Sequence, residues 1–150
     1  MPIDSIFLVD NDKLDFSVLD HTADLRIRIR GKDLRDLFEK AAKSMMHVII
    51  KGVSSENADT LELSVQGTDL SDLMVRWLGE ILYLFEGEHQ VVIGVKINTI
   101  SPTYLDATLK TVPFDLNLHE VLCEVKAVTY HQIEVVQEDD RWETRVTLDL

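Results

Sequence analysis

Residues Leu25 to Arg30 alternate strictly as LRIRIR, placing Leu25, Ile27 and Ile29 on one face and Arg26, Arg28 and Arg30 on the other. A period of two predicts a half-buried strand. Beyond Gly31 the period lengthens: Leu34, Leu37, Phe38, Ala41, Ala42, Met45 and Met46 follow the i, i+3, i+4, i+7 spacing of one helical face. The plan recurs. LELSVQG predicts a strand ending in Gly67, and Leu70, Leu73, Met74, Trp77, Leu78, Ile81, Leu82 and Phe85 form the stripe of a second helix. The junctions GKDLRDL (Gly31 to Leu37) and GTDLSDL (Gly67 to Leu73) share Gly, Asp, Leu, Asp and Leu at equal offsets. In each, the first Asp can cap free helix N–H groups and the second favours the positive helix end.

From Val91 onward the pattern is β: Val91 to Thr99, Tyr104 to Thr111, Glu124 to Val136 and Trp142 to Leu150, with Pro102 and Pro113 in loops. This order predicts an α+β fold, a two-layer sandwich with two helices on one face of a largely antiparallel sheet. Gln137 to Asp140 is expected to turn the last two strands into a hairpin. Symmetrical counting about Asp139 sets Val128 opposite Asp149 or Leu150, with the chain terminus beside Lys126. Residues 16–150 read as one domain, and residues 1–15 as an N-terminal extension.

Composition narrows the function classes. A chain of 150 residues suffices for one domain with a substantial core, and 45% hydrophobic with 28% charged residues is ordinary globular composition. The net charge of −12 opposes autonomous binding to a phosphate backbone and suits hard cations. The single cysteine, Cys123, forms no internal disulfide and offers no cluster for zinc or iron–sulfur chemistry. With no signal-peptide pattern and no membrane-length apolar run, a cytoplasmic protein is expected.

The segment Asp20-His21-Thr22-Ala23-Asp24 interrupts an apolar, alternating stretch with two carboxylates, an imidazole and a hydroxyl. A bulge or turn held by Asp and Thr side chains accounts for it. A sharper reading uses the end of the sequence, where Asp149 and a Leu150 α-carboxylate are two oxygen donors of the kind calcium takes; Asp24 adds a third if its strand adjoins the last. The plain alternative is a solvated strand end. Lys126, in EVKAVTYH, alternates with Val125 and Ala127 and should face away from them, free to balance carboxylates or reach a phosphate. The histidines lack the H-x-x-x-H spacing of zinc sites, so His47 and His131 read as packing residues. Arg26, Arg28 and Arg30 read first as a solvated face paired with cross-strand acids, and second as a docking strip for an acidic partner or RNA. No Gly-rich phosphate loop or G-x-S-x-G occurs.

DHTAD at 20 to 24, VRWLGEILYLF at 75 to 85, EVKAVTYH at 124 to 131 and WETRVTLDL at 142 to 150 together resemble the archease family, in the family's order, over residues 16 to 150. The resemblance implies an archease-like domain with a strand-helix-strand-strand module. It also implies a non-catalytic accessory protein for RtcB-type RNA ligases in tRNA splicing and RNA repair. Such proteins promote guanylylation of the ligase's histidine, sustain multiple turnover and broaden its use of nucleoside triphosphates. It further implies a divalent metal ion, calcium, held by Asp24, Asp149 and Leu150, with Lys126, His21 and Glu80 at positions tied to partner activation. RNA contact is then indirect or weak, and a monomer is favoured. Arg26 stands where the family usually has Gly, and Thr111-Val112 where it has Gly-Glu. Residues 1–15 have no counterpart, so Asp10, Asp12 and Asp15 lie outside the resemblance. Two other functions fit the same residues: a chaperone or specificity factor for another RNA-processing enzyme such as a tRNA methyltransferase, and a small metal-dependent hydrolase using His21 and Asp24.

Overall fold

The structure, a computed structural model, describes residues 16–21, 24–52 and 57–150, with the strand placement but not the side chains of residues 18–21. The elements are β1 (Phe16–His21), β2 (Asp24–Gly31), α1 (Leu34–Ile49), β3 (Ile50–Lys51), β4 (Asp59–Gln66), α2 (Leu70–Glu86), β5 (Gln90–Ser101), β6 (Tyr104–Pro113), β7 (Glu120–Val121), β8 (Ala127–Glu138) and β9 (Arg141–Asp149). The α+β plan of two helices on antiparallel strands is realised. The strands divide into a four-stranded sheet ordered β1-β2-β9-β8, a three-stranded sheet ordered β4-β6-β5 and a β3-β7 ribbon. Helix α1 packs on β2 and β5, and α2 on β8 and β5, so the helices join the two sheets through one core.

The duplicated strand–helix junction has a physical basis in both copies. Asp33 caps α1 by accepting from the Asp36 N–H at 2.7 Å, and Asp69 caps α2 by accepting from the Asp72 N–H at 2.8 Å. The second Asp reaches back in turn, Asp36 to the Lys32 N–H at 2.9 Å and Asp72 to the Thr68 N–H at 2.8 Å. The reciprocal bonds satisfy donors that a helix start leaves open. The glycines answer to space: a Cβ on Gly31 would lie 2.6 Å from the Leu37 nitrogen, and one on Gly67 would lie 2.8 Å from the Leu73 nitrogen. The strand can therefore turn directly onto the first helical turn. Between the helices, the fully buried Trp77 donates its indole N–H to the Phe38 carbonyl at 2.9 Å.

The final hairpin corrects the counted register. Glu138 pairs Arg141 across a turn at Asp139-Asp140, with Asp139 at φ 55°. Val128 faces Leu148, not Asp149 or Leu150, and Ala127 faces Asp149. The cause is a bulge on β8 between Thr129 and Glu134, where Gln132 takes φ 53°. Threonine hydroxyls bridge the two strands in and beside the bulge: Thr147 Oγ1 donates to the His131 carbonyl at 3.0 Å, Thr129 Oγ1 to the Thr147 carbonyl at 3.2 Å, and Thr144 Oγ1 to the Glu134 carbonyl at 2.7 Å. The last strand pair also begins later than expected, at Ala127 and not Glu124, because β9 ends at Asp149.

Candidate functional site

Strands β2 and β9 lie side by side, antiparallel, and their register sets Asp24 opposite Asp149 and Leu25 opposite Leu148. Leu25 and Leu148 are fully buried, so alternation turns the two aspartates to the outward face at the strand ends. Directly opposed residues carry Cβ atoms about 4.5–5.5 Å apart, and like charges so placed destabilise the ladder. Leu150 follows Asp149 and is half-buried against the core. Lys126 joins this group through its main chain, its N–H donating to the Asp149 carbonyl at 2.7 Å. Its side chain is exposed while Val125 beside it is fully buried. Ala127, register-paired with Asp149, takes the outward face, so the expected simple alternation through Val125, Lys126 and Ala127 breaks at this strand start.

The set Asp24, Asp149 and Leu150 fits a hard divalent cation by donor chemistry: all donors are oxygen, two are carboxylates that repel one another, and they stand at an open sheet end. Among the described residues no three side chains of His, Cys, Asp and Glu cluster as a metal site, so within the described residues a cation here would draw on main-chain oxygen of Leu150 beside the two aspartates. His21 pairs Leu25 across the β1–β2 ladder, but its side chain lies outside the described residues, as do Thr22 and Ala23. Glu80 stands elsewhere. It lines an open cleft of about 580 Å³ with Arg76, Gln66 and Tyr104, between α2 and the β4–β6 strands.

Of the arginine stripe, Arg30 follows the reading of a face paired with cross-strand acids. Arg30 Nε donates to Glu143 Oε1 and Arg145 Nε to Glu143 Oε2, both at 3.1 Å. Burial works against the Glu143 charge, yet the hydrogen bonds from Arg30 and Arg145 hold its carboxyl below the usual value. Arg28 faces Arg145, and Arg26 lies in register between Asp20 and Thr147. The histidines differ from expectation. His131 is exposed, carried outward on the β8 bulge, and His47 is half-buried with Nδ1 2.9 Å from the Lys43 carbonyl. The buried one is His119, stacked on Phe114 at 5.6 Å. Burial pushes the Cys123 thiol up, consistent with an unreactive thiol.

One contact near the strand end was not singled out in the sequence. The Tyr130 hydroxyl, on the bulge, donates to Asp72 Oδ1 at 2.6 Å. That bond, the Thr68 N–H and the Arg76 guanidinium hold the Asp72 carboxyl at about 2, and the same bond raises the Tyr130 hydroxyl. Tyr130 stands in the EVKAVTYH block and Asp72 in the repeated junction, but periodicity carries no signal that pairs them.

The fold and the strand-end site define a small two-helix α+β domain that gathers acidic groups at one end of its four-stranded sheet. Residues 16–150 match the model of the Archease protein family (MTH1598/TM1083). The chain belongs to the archease family. It is 35% identical to the protein archease of Methanosarcina barkeri over 141 residues, covering 90% of this chain and 95% of that one, and 34% identical to that of Pyrococcus furiosus over 135 residues, covering 87% and 95%. Its fold matches the solution structure of Methanobacterium thermoautotrophicum protein 1598 with a TM-score of 0.64 and 28% identity, over 90% of this chain and 98% of that one. The crystal structure of an archease, possible chaperone, from Thermotoga maritima matches with a TM-score of 0.59 and 19% identity, over 88% and 94%. No helix among the described residues is long and apolar enough to cross a membrane.

Proposed function

We propose that this archease activates an RtcB-type RNA ligase, acting through the acidic strand end at Asp24, Asp149 and Leu150. The observation that supports this reading is the register pairing of Asp24 with Asp149, two carboxylates opposed across the β2–β9 ladder. Asp24, Asp149 and main-chain oxygen of Leu150 would hold a divalent ion, calcium by donor type, which would supply the positive charge that neutralises the opposed carboxylates. The remaining work belongs to the chain. The β2–β9 ladder fixes the two aspartates relative to one another, and the bond from the Lys126 N–H to the Asp149 carbonyl fixes where the Lys126 ammonium departs from the strand. An ammonium on a flexible stem suits a phosphate group of a nucleotide held by the partner.

The chain then works inside another protein's site, and its own part is positioning and local charge. A short charged end can act where the whole-molecule charge of −12 would repel nucleic acid. The helper role promotes guanylylation of the ligase's histidine and so sustains turnover. The test is ligation by a cognate ligase with RNA in excess over enzyme. Wild-type protein is expected to carry the ligase through many turnovers, whereas Asp24→Ala, Asp149→Ala and deletion of Leu150 leave product near one equivalent of ligase. Full stimulation by these variants, shown to be folded, contradicts the reading.

A further inference from the structure

Three of the exposed large apolar side chains, Leu116, Leu118 and Val121, fall close together in the sequence. Leu116 is 84% exposed, Leu118 55% and Val121 45%. The turn that carries Leu116 and Leu118 is closed tightly. Asp115 Oδ1 accepts from the Asn117 N–H at 2.9 Å, the Asp115 carbonyl accepts from the Leu118 and His119 N–H groups at 2.9 and 2.8 Å, and the Asp115 N–H donates to His119 Nδ1 at 3.0 Å. His119 is buried and stacks on Phe114, which meets Phe85 edge-on at 5.7 Å. Gly52, at φ 91°, packs so closely against the turn that an added Cβ would collide with the Leu118 carbonyl oxygen. Two leucines held outward on so braced a turn lose little freedom on binding, the property of a pre-organised anchor.

Chain length ties this turn to the aspartate end. The Leu122 and Cys123 N–H groups donate to the Ile49 carbonyl, and three residues beyond Cys123 the Lys126 N–H donates to Asp149. Five residues from Val121 to Lys126 span at most about 18 Å, eight from Leu118 at most about 29 Å and ten from Leu116 at most about 36 Å, the last shortened by the closed turn at Asp115 to His119. A standard interface of about 800 Å² a side is on the order of 30 Å across. One partner can therefore cover both features.

Charge selects the partner. From Thr111 to Val125 the chain carries Asp115, Glu120 and Glu124 and no Lys or Arg, and Lys51 faces Glu120 across the β3–β7 ribbon, which leaves Asp115 and Glu124 as the acids beside the leucines. An apolar anchor flanked by acids fits an apolar pocket with a basic rim, as RNA-processing enzymes carry basic surface for their substrates. A second copy fits poorly, because a self-complementary contact would set these acids against themselves on a protein of net charge −12. We propose that Leu116 and Leu118 dock this chain onto the RNA ligase, in an apolar pocket with a basic rim, while the aspartate end acts within its active site. This inference rests on the ligase reading above.

The test is a titration of ligase with wild-type protein, Leu116→Ser/Leu118→Ser and Asp24→Ala, recording the concentration for half-maximal stimulation and the plateau. The double variant is expected to need at least tenfold more protein to reach an unchanged plateau, while Asp24→Ala lowers the plateau. Glu124→Lys, an exposed change, is expected to raise the half-maximal concentration at low salt and to match wild type at high salt. A half-maximal concentration unmoved by the double variant, with wild-type stimulation intact, overturns the docking site and leaves the ligase reading standing. Wild-type protein that neither binds nor stimulates the ligase overturns both. Sedimentation of the wild type as a dimer and of the double variant as a monomer assigns the surface to a second copy and overturns the ligase assignment.

Discussion

Asp24 and Asp149 stand directly opposite each other at the ends of β2 and β9, one from near the start of the described chain and the other from its end. Cross-strand like charges cost the ladder stability, so neutralising one should help the fold when no cation is present. Asp24→Asn is expected to raise unfolding stability by about 0.2–1 kcal/mol in a chelating buffer. Calcium should reverse the order, since a ligand at a hundred times its Kd adds about 2.7 kcal/mol to the wild type alone. Urea unfolding of both proteins, with chelator and with calcium, checks this. An equal response of the two proteins to calcium excludes these carboxylates as its site.

The glycines of the repeated junction make a sharper stability prediction. Gly31→Ala and Gly67→Ala push a methyl group into the backbone of Leu37 or Leu73, and each should destabilise by about 1–3 kcal/mol. Gly79 is the control. It lies within α2 with nothing inside 4 Å of an added Cβ, so Gly79→Ala should stabilise by about 0.5–1 kcal/mol. Denaturant midpoints of the three variants read the contrast directly.

The Tyr130–Asp72 bond predicts a titration. Asp72 falls from an ordinary 3.8 to about 2, so its stabilising contribution is complete above pH 3.8 and is lost as pH falls through 2. Tyr130 shifts the other way, above its usual 10, so its contribution holds below pH 10 and is lost as pH rises through the raised value. Of the three tyrosines, Tyr130 should ionise at a pH above 10 by ultraviolet absorbance, and Asp72→Asn should bring it back toward 10. No movement of any tyrosine in Asp72→Asn would show that the bond is absent in solution.

Much of this architecture was legible because it is local. The alternation of LRIRIR and the stripe from Leu34 to Met46 report burial through a repeating geometry, and β2 and α1 follow them. The caps at Asp33 and Asp69 were readable from residue type and offset alone. What escaped depends on pairing. Strand β1 was not foreseen because its six residues run into the polar Asp20-His21 pair, which reads as a break, and the two-residue strands β3 and β7 are too short to have a period. The register near Lys126 shifted because a bulge in β8 adds residues that symmetrical counting cannot see. His119 looked like any loop histidine, since its burial comes from Phe114 and from the turn at Asp115. The adjacency of β2 and β9 is likewise invisible to periodicity. It was the four-block resemblance that suggested Asp24 and Asp149 share a site, and the ladder brings them face to face.

The most direct measurement of the central claim is formation of the guanylylated ligase. Ligase freed of bound nucleotide is mixed with GTP in the presence of wild-type protein or of Asp24→Asn, which keeps the size and fold of the strand end while removing one charge. The account predicts rapid accumulation of the covalent guanylyl-ligase with wild type, and accumulation with Asp24→Asn no faster than for ligase alone. Equal acceleration by the two proteins would contradict it.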